Sequence, residues 1–235
     1  MGAWYQKGGL HAHADATFGS ANNYAYRIDP RTGQSVNGSV TYAPNQWISA
    51  GADLVYQRST NYSDGSQINY NQHNYHSAFT TTVTPNKYWA LDMAYSFDAV
   101  QQNIYQCFAG TYPTNSVPCF DGSGLNQTYA FYNSHTQYGF LNILLKPTPR
   151  LNVRAGYTFV INSGNTTQYN LLQPLGPLAS HYQLPLAAVD YNFYRNVTFR
   201  AGWNYQNYNE SSFVGPTAPR AFHANETTLA LRYAF

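Results

Sequence analysis

A two-residue alternation of apolar and polar side chains runs through most of this chain and constrains its fold more than any other feature. In 151–161 the odd positions are apolar and the even positions are mostly polar or small, and 48–56, 89–98 and 197–206 alternate similarly. Alternation over about eight to ten residues indicates a strand with one apolar and one polar face. Strands of soluble sandwiches usually have about five or six residues, whereas about ten residues match a tilted strand that crosses a bilayer.

The composition excludes the other common classes of chain. Aromatic residues make up 17% of the 235 residues and charged residues only 9%, against about 25% charged residues in ordinary soluble domains. So few charges cannot cover a water-soluble globule, and disordered chains are poor in aromatics and rich in charge. No stretch approaches the roughly 18 consecutive apolar residues of a transmembrane helix. The remaining class is a β-barrel in a bilayer, in which alternate residues face lipid and a polar lumen.

The charge balance and the first residues bear on partners and export. The net charge is +2 and no basic stripe is present, so we expect no nucleic-acid partner. Residues 1–5 lack the basic and apolar regions of a signal peptide. Since an exported protein needs such a peptide, we expect the sequence to be either the mature form or a piece of a longer chain.

Turn-forming residues divide the chain into strands with two kinds of connection. Pro presets φ for turns, and Asn and Gly tolerate positive φ. Short turns are expected at 43–46, 84–87, 146–150 and 194–196, and long polar loops near 21–33, 60–70, 101–127, 163–178 and 208–220. Ten strands follow, roughly 9–20, 34–43, 47–59, 71–84, 87–99, 128–145, 150–162, 179–192, 196–208 and 222–235. Outer-membrane barrels have this arrangement, with short periplasmic turns and long extracellular loops.

Two of the expected strands lose the regular alternation. The apolar phase shifts within 137–145, around Asn142, and within 182–193, between Ala188 and Val189. An extra residue in a strand shifts its pattern in this way, so we expect a β-bulge in each of the two strands.

An internal repeat has the hairpin as its unit. Each short turn leads into a strand of the pattern apolar-x-apolar-x-(Ala/Gly)-x-aromatic, and each strand that runs toward a short turn has a histidine near its start. These histidines are His73 or His76, His135, His181 and His223. Most of them precede the next turn or the chain end by about thirteen residues. Duplication of hairpins would leave this trace.

The last residues carry the most specific motif. Leu229, Leu231, Tyr233 and Phe235 alternate with small or polar residues. This segment resembles the closing strand of Gram-negative outer-membrane β-barrel proteins, which typically ends in Phe with Tyr two residues before it. The resemblance implies a single barrel domain over 1–235 and recognition of the last strand by the barrel-assembly machinery.

More loosely, the aromatic-rich hairpins resemble the large porin-like barrels that sheathe outer-membrane cytochrome conduits. This second resemblance implies that the chain is the C-terminal portion of a larger barrel. The sequence contains no haem motif and no CxxC of the kind that some such sleeves carry.

Charged residues on the polar phase are the candidate lumen lining. An arginine on the lipid face at mid-depth would cost about 2–4 kcal/mol, so the alternation places these charges inside. There they either line a water-filled path and set a weak ion preference, or pair across a narrow lumen and plug it. The candidates are Asp53, Asp92, Asp98, Arg154, Arg200, Glu226 and Arg232.

Other groupings point less clearly to chemistry. His11, His13 and Asp15 share one face of a strand, with alternate residues about 7 Å apart, which suits a first-row metal. A polar lumen-facing run is the simpler interpretation. The repeated histidines could serve a Ser-His-Asp hydrolase, but the nearby serines and aspartates show no spacing beyond that of polar loops. We therefore expect no catalytic, cofactor or metal site.

Two cysteines, Cys107 and Cys119, lie in a stretch rich in Pro, Gly and Ser. An even number of cysteines at short spacing in an exported protein favours a disulfide, here in an extracellular loop. Two unrelated thiols are the alternative.

Together these features predict an all-β, antiparallel, up-and-down transmembrane β-barrel of about ten strands in a Gram-negative outer membrane. The expected function is a porin-like channel for small solutes or ions. The alternative is a non-conducting scaffold or sleeve that holds a periplasmic or extracellular protein, and an outer-membrane hydrolase comes third. The expected partners are outer-membrane lipid and the barrel-assembly machinery.

Overall fold

The computed structural model describes residues 1–21, 30–62, 68–107, 127–166, 179–194, 196–211 and 220–233, and its regular elements in these ranges are all β-strands. The strands are β1 (Gly2–Lys7), β2 (Leu10–Ser20), β3 (Thr32–Asn45), β4 (Ile48–Tyr62), β5 (Ile68–Asn86), β6 (Trp89–Cys107), β7 (Gln127–Thr148), β8 (Leu151–Thr166), β9 (Ser180–Tyr194), β10 (Val197–Glu210) and β11 (Ala221–Tyr233). Among the described residues, no helix is long and apolar enough to cross a membrane.

All eleven strands form one antiparallel sheet in the order of the chain, from β1 to β11. The prediction of an all-β, up-and-down fold is confirmed, and the described residues form eleven strands where about ten were predicted. The additional strand is β1, which reaches β2 through Gly8 and Gly9 at φ 54° and 81°. Two glycines with positive φ make the tight two-residue hairpin loop that matches the strand twist.

The sheet is open in this structure. Within the described ranges, β1 pairs only with β2 and β11 pairs only with β10. Since strand direction alternates along the sheet, β1 and β11 run in the same direction. Each of the two edges leaves one side of its backbone without a strand partner.

The two expected bulges are absent from the described parts of β7 and β9. The pairing of β7 with β6 and β8 runs without a register shift through Asn142, and that of β9 with β8 and β10 does so through Ala188 and Val189. In the halves of β7 and β9 that are farther from the short turns, the apolar side chains instead lie on the same face as the charged residues. They contact one another there, as in the edge-to-face pair of Tyr138 and Phe140 at 6.1 Å.

Register shifts occur instead beside the short turns. They lie between Tyr42/Asn45, Val83/Asn86, Leu145/Thr148 and Val197/Thr198. The first three each contain a proline, which has no N–H for the ladder. The residue before each proline donates its N–H to the preceding short turn, in the bonds Ala43 to Gly9, Thr84 to Trp47 and Lys146 to Tyr88. Successive short turns are therefore hydrogen-bonded to one another along this end of the strands.

The pairing register defines two faces above the short turns. The polar face consists of the odd-numbered residues of β2, β3 and β4 and the even-numbered residues of β1 and of β5 to β11, and the apolar face consists of the others. Directly opposed residues of an antiparallel pair point to the same side, so each face is continuous across all eleven strands.

No second layer of the described chain covers the apolar face. Among the described residues, Ala99 is the one buried apolar side chain, whereas Leu54, Leu229 and Leu231 are 63%, 69% and 72% exposed. Half of the eighteen exposed aromatic side chains of the described residues lie near the short turns, namely Tyr5, Tyr42, Trp47, Tyr88, Trp89, Tyr191, Phe193, Tyr194 and Tyr233. A sheet normally buries its apolar face against another layer.

Two of the predicted residues, Cys119 and Phe235, lie outside the described part of the chain. Cys107 ends β6, but Cys119 lies outside the described residues, so the disulfide stays a prediction. Leu229, Leu231 and Tyr233 are on the apolar face of the edge strand β11.

Candidate functional site on the polar face

The seven charged residues predicted from the alternation all lie on the polar face. Four of them have a close partner in another strand, and two of these, Arg154 and Arg200, share Asp190. Asp98 Oδ1 is 2.6 Å from His76 Nδ1, and Asn204 Nδ2 donates to Glu226 Oε2 at 3.1 Å. Asp53 stands opposite Ser39 and Ala78, and Asp92 stands opposite Thr82 and Asn142.

The acidic residues of the described strands are confined to this face. All seven acidic residues of the described strands are on it, namely Asp15, Asp53, Asp92, Asp98, Asp190, Glu210 and Glu226. Three arginines, Arg154, Arg200 and Arg232, share it. On strands β2 to β6 the polar face carries four aspartates and no Lys or Arg, whereas β8 to β11 carry the three arginines. The polar face therefore has an excess of four negative charges and an uneven distribution of sign.

Asp190 is the centre of a cluster of three charged residues, and sequence reasoning missed it. Its oxygens accept hydrogen bonds from Arg200 Nε at 2.5 Å, Arg200 Nη2 at 3.1 Å and Arg154 Nη2 at 3.1 Å. The Asp190 side chain is 12% exposed, whereas the side chains of Arg154 and Arg200 are 45% and 48% exposed. The sequence contained a signal for it, because Asp190 lies between the apolar residues Val189 and Tyr191 and so continues the alternation of polar and apolar side chains.

Strand pairing creates this cluster. Asp190 on β9 stands directly opposite Asn152 on β8 and Arg200 on β10. Arg154 is two residues along β8, so it approaches Asp190 diagonally, within reach of a long side chain. Arg200 and Arg154 are thus held at one carboxylate from both sides.

A cavity of about 400 Å³ opens beside the cluster at the short-turn end of the polar face. Its walls include Asn152, Asn192, Thr198 and Arg232 in addition to Asp190 and Arg200. The Thr198 hydroxyl donates to Asn192 Oδ1 at 2.7 Å, which leaves the Asn192 amide N–H groups available to the cavity.

A second acidic cluster lies at the long-loop end of β10. Glu210, 6% exposed, accepts hydrogen bonds from the Tyr208 hydroxyl at 2.6 Å and from Arg220 N and Nε at 3.1 Å each. The Tyr208 hydrogen bond is the main cause that holds the pKa of Glu210 below its usual value, with Arg220 adding to it. Glu210 lies beyond the roughly ten residues that a tilted strand needs to cross a bilayer.

An apolar patch interrupts the polar face at mid-sheet. It consists of Tyr138, Phe140, Val160, Tyr182, Leu184 and Leu186 on β7 to β9. Leu186 leans over Gly156, where an added Cβ would lie 3.1 Å from Leu186 Cγ. The patch arises because β7 and β9 keep their register while their apolar phase changes. It places aromatic and aliphatic side chains next to the charged lining.

The histidines separate by face. His73, His135, His181 and His223 are on the apolar face, so His73 rather than His76 is the repeat position in β5. His73 Nδ1 is 2.9 Å from the Tyr56 hydroxyl, and Phe97 stacks on His135 with ring centroids 5.9 Å apart.

Of the three residues of β2 considered for a metal, His11, His13 and Asp15, the last two lie close to each other. His13 stacks on Trp4 at 5.1 Å, and its Nε2 is 3.7 Å from Asp15 Oδ1. Asp15 also accepts a hydrogen bond from Asn37 at 2.8 Å. Among the described residues, no group of three or more His, Cys, Asp or Glu side chains is arranged to hold a metal ion.

Comparison with known proteins adds no identification. No protein-family model matches the chain, and no curated protein or solved structure shows a significant match to it.

Proposed function

We propose that this chain forms the wall of a transmembrane β-barrel in a Gram-negative outer membrane. The observation that carries the proposal is the uncovered apolar face, which exposes leucines and aromatics across the whole sheet. A single sheet with such a face is unstable in water, whereas lipid covers it without a second layer.

The position of charge supports the same proposal. On the apolar face of the strands, Lys7 lies at the short-turn end and Arg58 near the opposite end. Arg58 lies ten residues beyond Ile48, the first residue of β4. In a strand tilted by about 40°, this places Arg58 about 25 Å from the short turns along the membrane normal. Both charges would then reach the membrane interfaces. The aromatic belt beside the short turns matches the girdle of such barrels, with the short turns periplasmic.

Insertion requires both sheet edges to be paired, because unpaired backbone groups in hydrocarbon cost several kcal/mol each. Pairing β1 with β11 directly would be parallel, since the two strands run in the same direction. An all-antiparallel closure requires an odd number of additional strands. Both routes agree with a barrel wall, and the second agrees with a portion of a larger barrel.

The proposed activity is a porin-like pore that prefers cations. The four excess carboxylates of the polar face would line the lumen and attract cations. In planar bilayers we expect the conductance to rise in steps. In a KCl gradient, we expect the sign of the reversal potential to show that K⁺ permeates better than Cl⁻. The double variant Asp53→Asn/Asp92→Asn should reduce that potential, whereas Arg58→Gln on the apolar face should leave it unchanged. A preference for Cl⁻ would contradict the proposed lumen lining.

The apolar patch on the polar face favours a second candidate, a non-conducting sleeve around a partner protein. Apolar side chains gain little in a water-filled lumen but would pack against an inserted segment. A membrane-inserted chain without stepwise conductance, which co-purifies with a periplasmic or extracellular protein, would favour this candidate over the pore.

A further inference from the structure

Around Asp190, two guanidinium groups face a single carboxylate, so positive charge and N–H donors remain that Asp190 does not neutralise or bind. We propose that the cavity beside it binds a phosphate group, presented as inorganic phosphate or by a small phosphorylated solute. The site depends on the sheet geometry alone, so a barrel that does not conduct would leave this proposal intact.

The local charge favours an anion. Arg154 and Arg200 share the single negative charge of Asp190, which leaves one positive charge over. The side chain of Arg232, on the wall of the same cavity, forms no hydrogen bond or ion pair with the described part of the chain. Glu226 is bonded to Asn204 and does not line the cavity. The charged residues that line the cavity are thus Arg200, Arg232 and Asp190, which leaves one more positive charge than negative, and Arg154 adds a second positive charge next to Asp190.

The donors are held in place before a ligand arrives. Asp190 accepts hydrogen bonds from Nε and Nη2 of Arg200 and from Nη2 of Arg154. These bonds fix both side chains and leave further N–H groups of each guanidinium free to donate. The Asn192 amide adds N–H groups, because its oxygen is taken by Thr198. The donor side chains on the cavity wall, Asn192, Arg200 and Arg232, come from the adjacent strands β9, β10 and β11. A preorganised set loses less conformational entropy on binding.

The geometry selects phosphate over a simple carboxylate. Guanidiniums bind phosphate oxygens in bidentate fashion, and a tetrahedral phosphate has enough oxygens for donors from several directions. A cavity of about 400 Å³ is larger than phosphate alone, which leaves room for a small organic group.

Titration calorimetry of the purified full chain in detergent micelles at low salt tests the proposal. We expect saturable binding of inorganic phosphate, binding of glycerol 3-phosphate at least as tight, and much weaker binding of acetate. Arg232→Gln should weaken phosphate binding by about tenfold or more, the usual contribution of a charge-assisted hydrogen bond. Lys87→Gln, which removes a positive charge from the short turn between β5 and β6, should change it less than twofold.

A second variant keeps the test independent of Arg232. Asn192→Asp replaces the amide donors by a negative charge at nearly constant volume, and we expect it to abolish phosphate binding. Circular dichroism of each variant checks that the strands are retained. Absence of saturable phosphate binding, equal losses in Arg232→Gln and Lys87→Gln, or acetate binding as tight as phosphate binding would overturn the proposal.

Discussion

Two alanine-to-arginine substitutions at similar depth and on opposite faces of the sheet would measure which face meets lipid. Ala201 on the apolar face lies four residues above the start of β10, opposite Val189 and Leu229. Ala78 on the polar face stands opposite Asp53, which is five residues above the start of β4. The same chemical change is thus made in two environments.

The structure sets the expected size of the two effects. At about 3.3 Å per residue and a tilt of about 40°, both positions lie about 10–13 Å above the short turns, near the middle of an apolar band about 25 Å tall. Ala201→Arg should then destabilise the protein by about 2–4 kcal/mol, or about 30- to 1000-fold in the folding equilibrium. Ala78→Arg can reach Asp53 and water, so its effect should stay within about 1 kcal/mol.

Urea unfolding in phosphatidylcholine vesicles gives both values by linear extrapolation. Gly202→Ser is a same-strand control on the polar face, because a Cβ there would lie 3.9 Å from Thr228 Cβ, an ordinary contact. If Ala201→Arg and Ala78→Arg lower the urea midpoint equally, or if Ala78→Arg is the more damaging, the assignment of the apolar face to lipid is refuted.

Three further predictions concern packing, pH and assembly. Gly139→Ala should destabilise by about 1–3 kcal/mol, because the added Cβ would overlap the Phe159 ring, whereas Gly38→Ala has open space and should be neutral or stabilising; unfolding midpoints decide, and equal effects would contradict the packing. The pKa of Glu210 is lower in the folded than in the unfolded chain, so ionised Glu210 stabilises the fold above its unfolded pKa, and this stabilisation is lost as the pH falls through the folded value. The Glu210→Gln variant should therefore lose less free energy of unfolding than the parent chain between about pH 5 and pH 3, and identical losses would exclude this role of Glu210. Deleting Phe235 should lower outer-membrane assembly in cells much more than refolding into detergent, as cell fractionation can show, and normal assembly would remove the support from the C-terminal motif.

The sequence alone determined the strand class and the facing of the charges. Alternation is a local property of the pleat, so the period of two suffices to place Asp53, Arg154 and Arg232 on one side without knowledge of their partners. The same local property, together with the turn residues, predicted an up-and-down antiparallel sheet.

Only the tertiary structure decided which of these charges meet. Arg154 lies 36 residues before Asp190 and Arg200 lies ten after it, and the register of β8, β9 and β10 joins them. Register also decided that the phase changes in β7 and β9 form an apolar patch rather than bulges, because continuous hydrogen bonding on both sides of each strand leaves no extra residue unpaired. Such pairing is non-local, so the period of a single strand cannot reveal it.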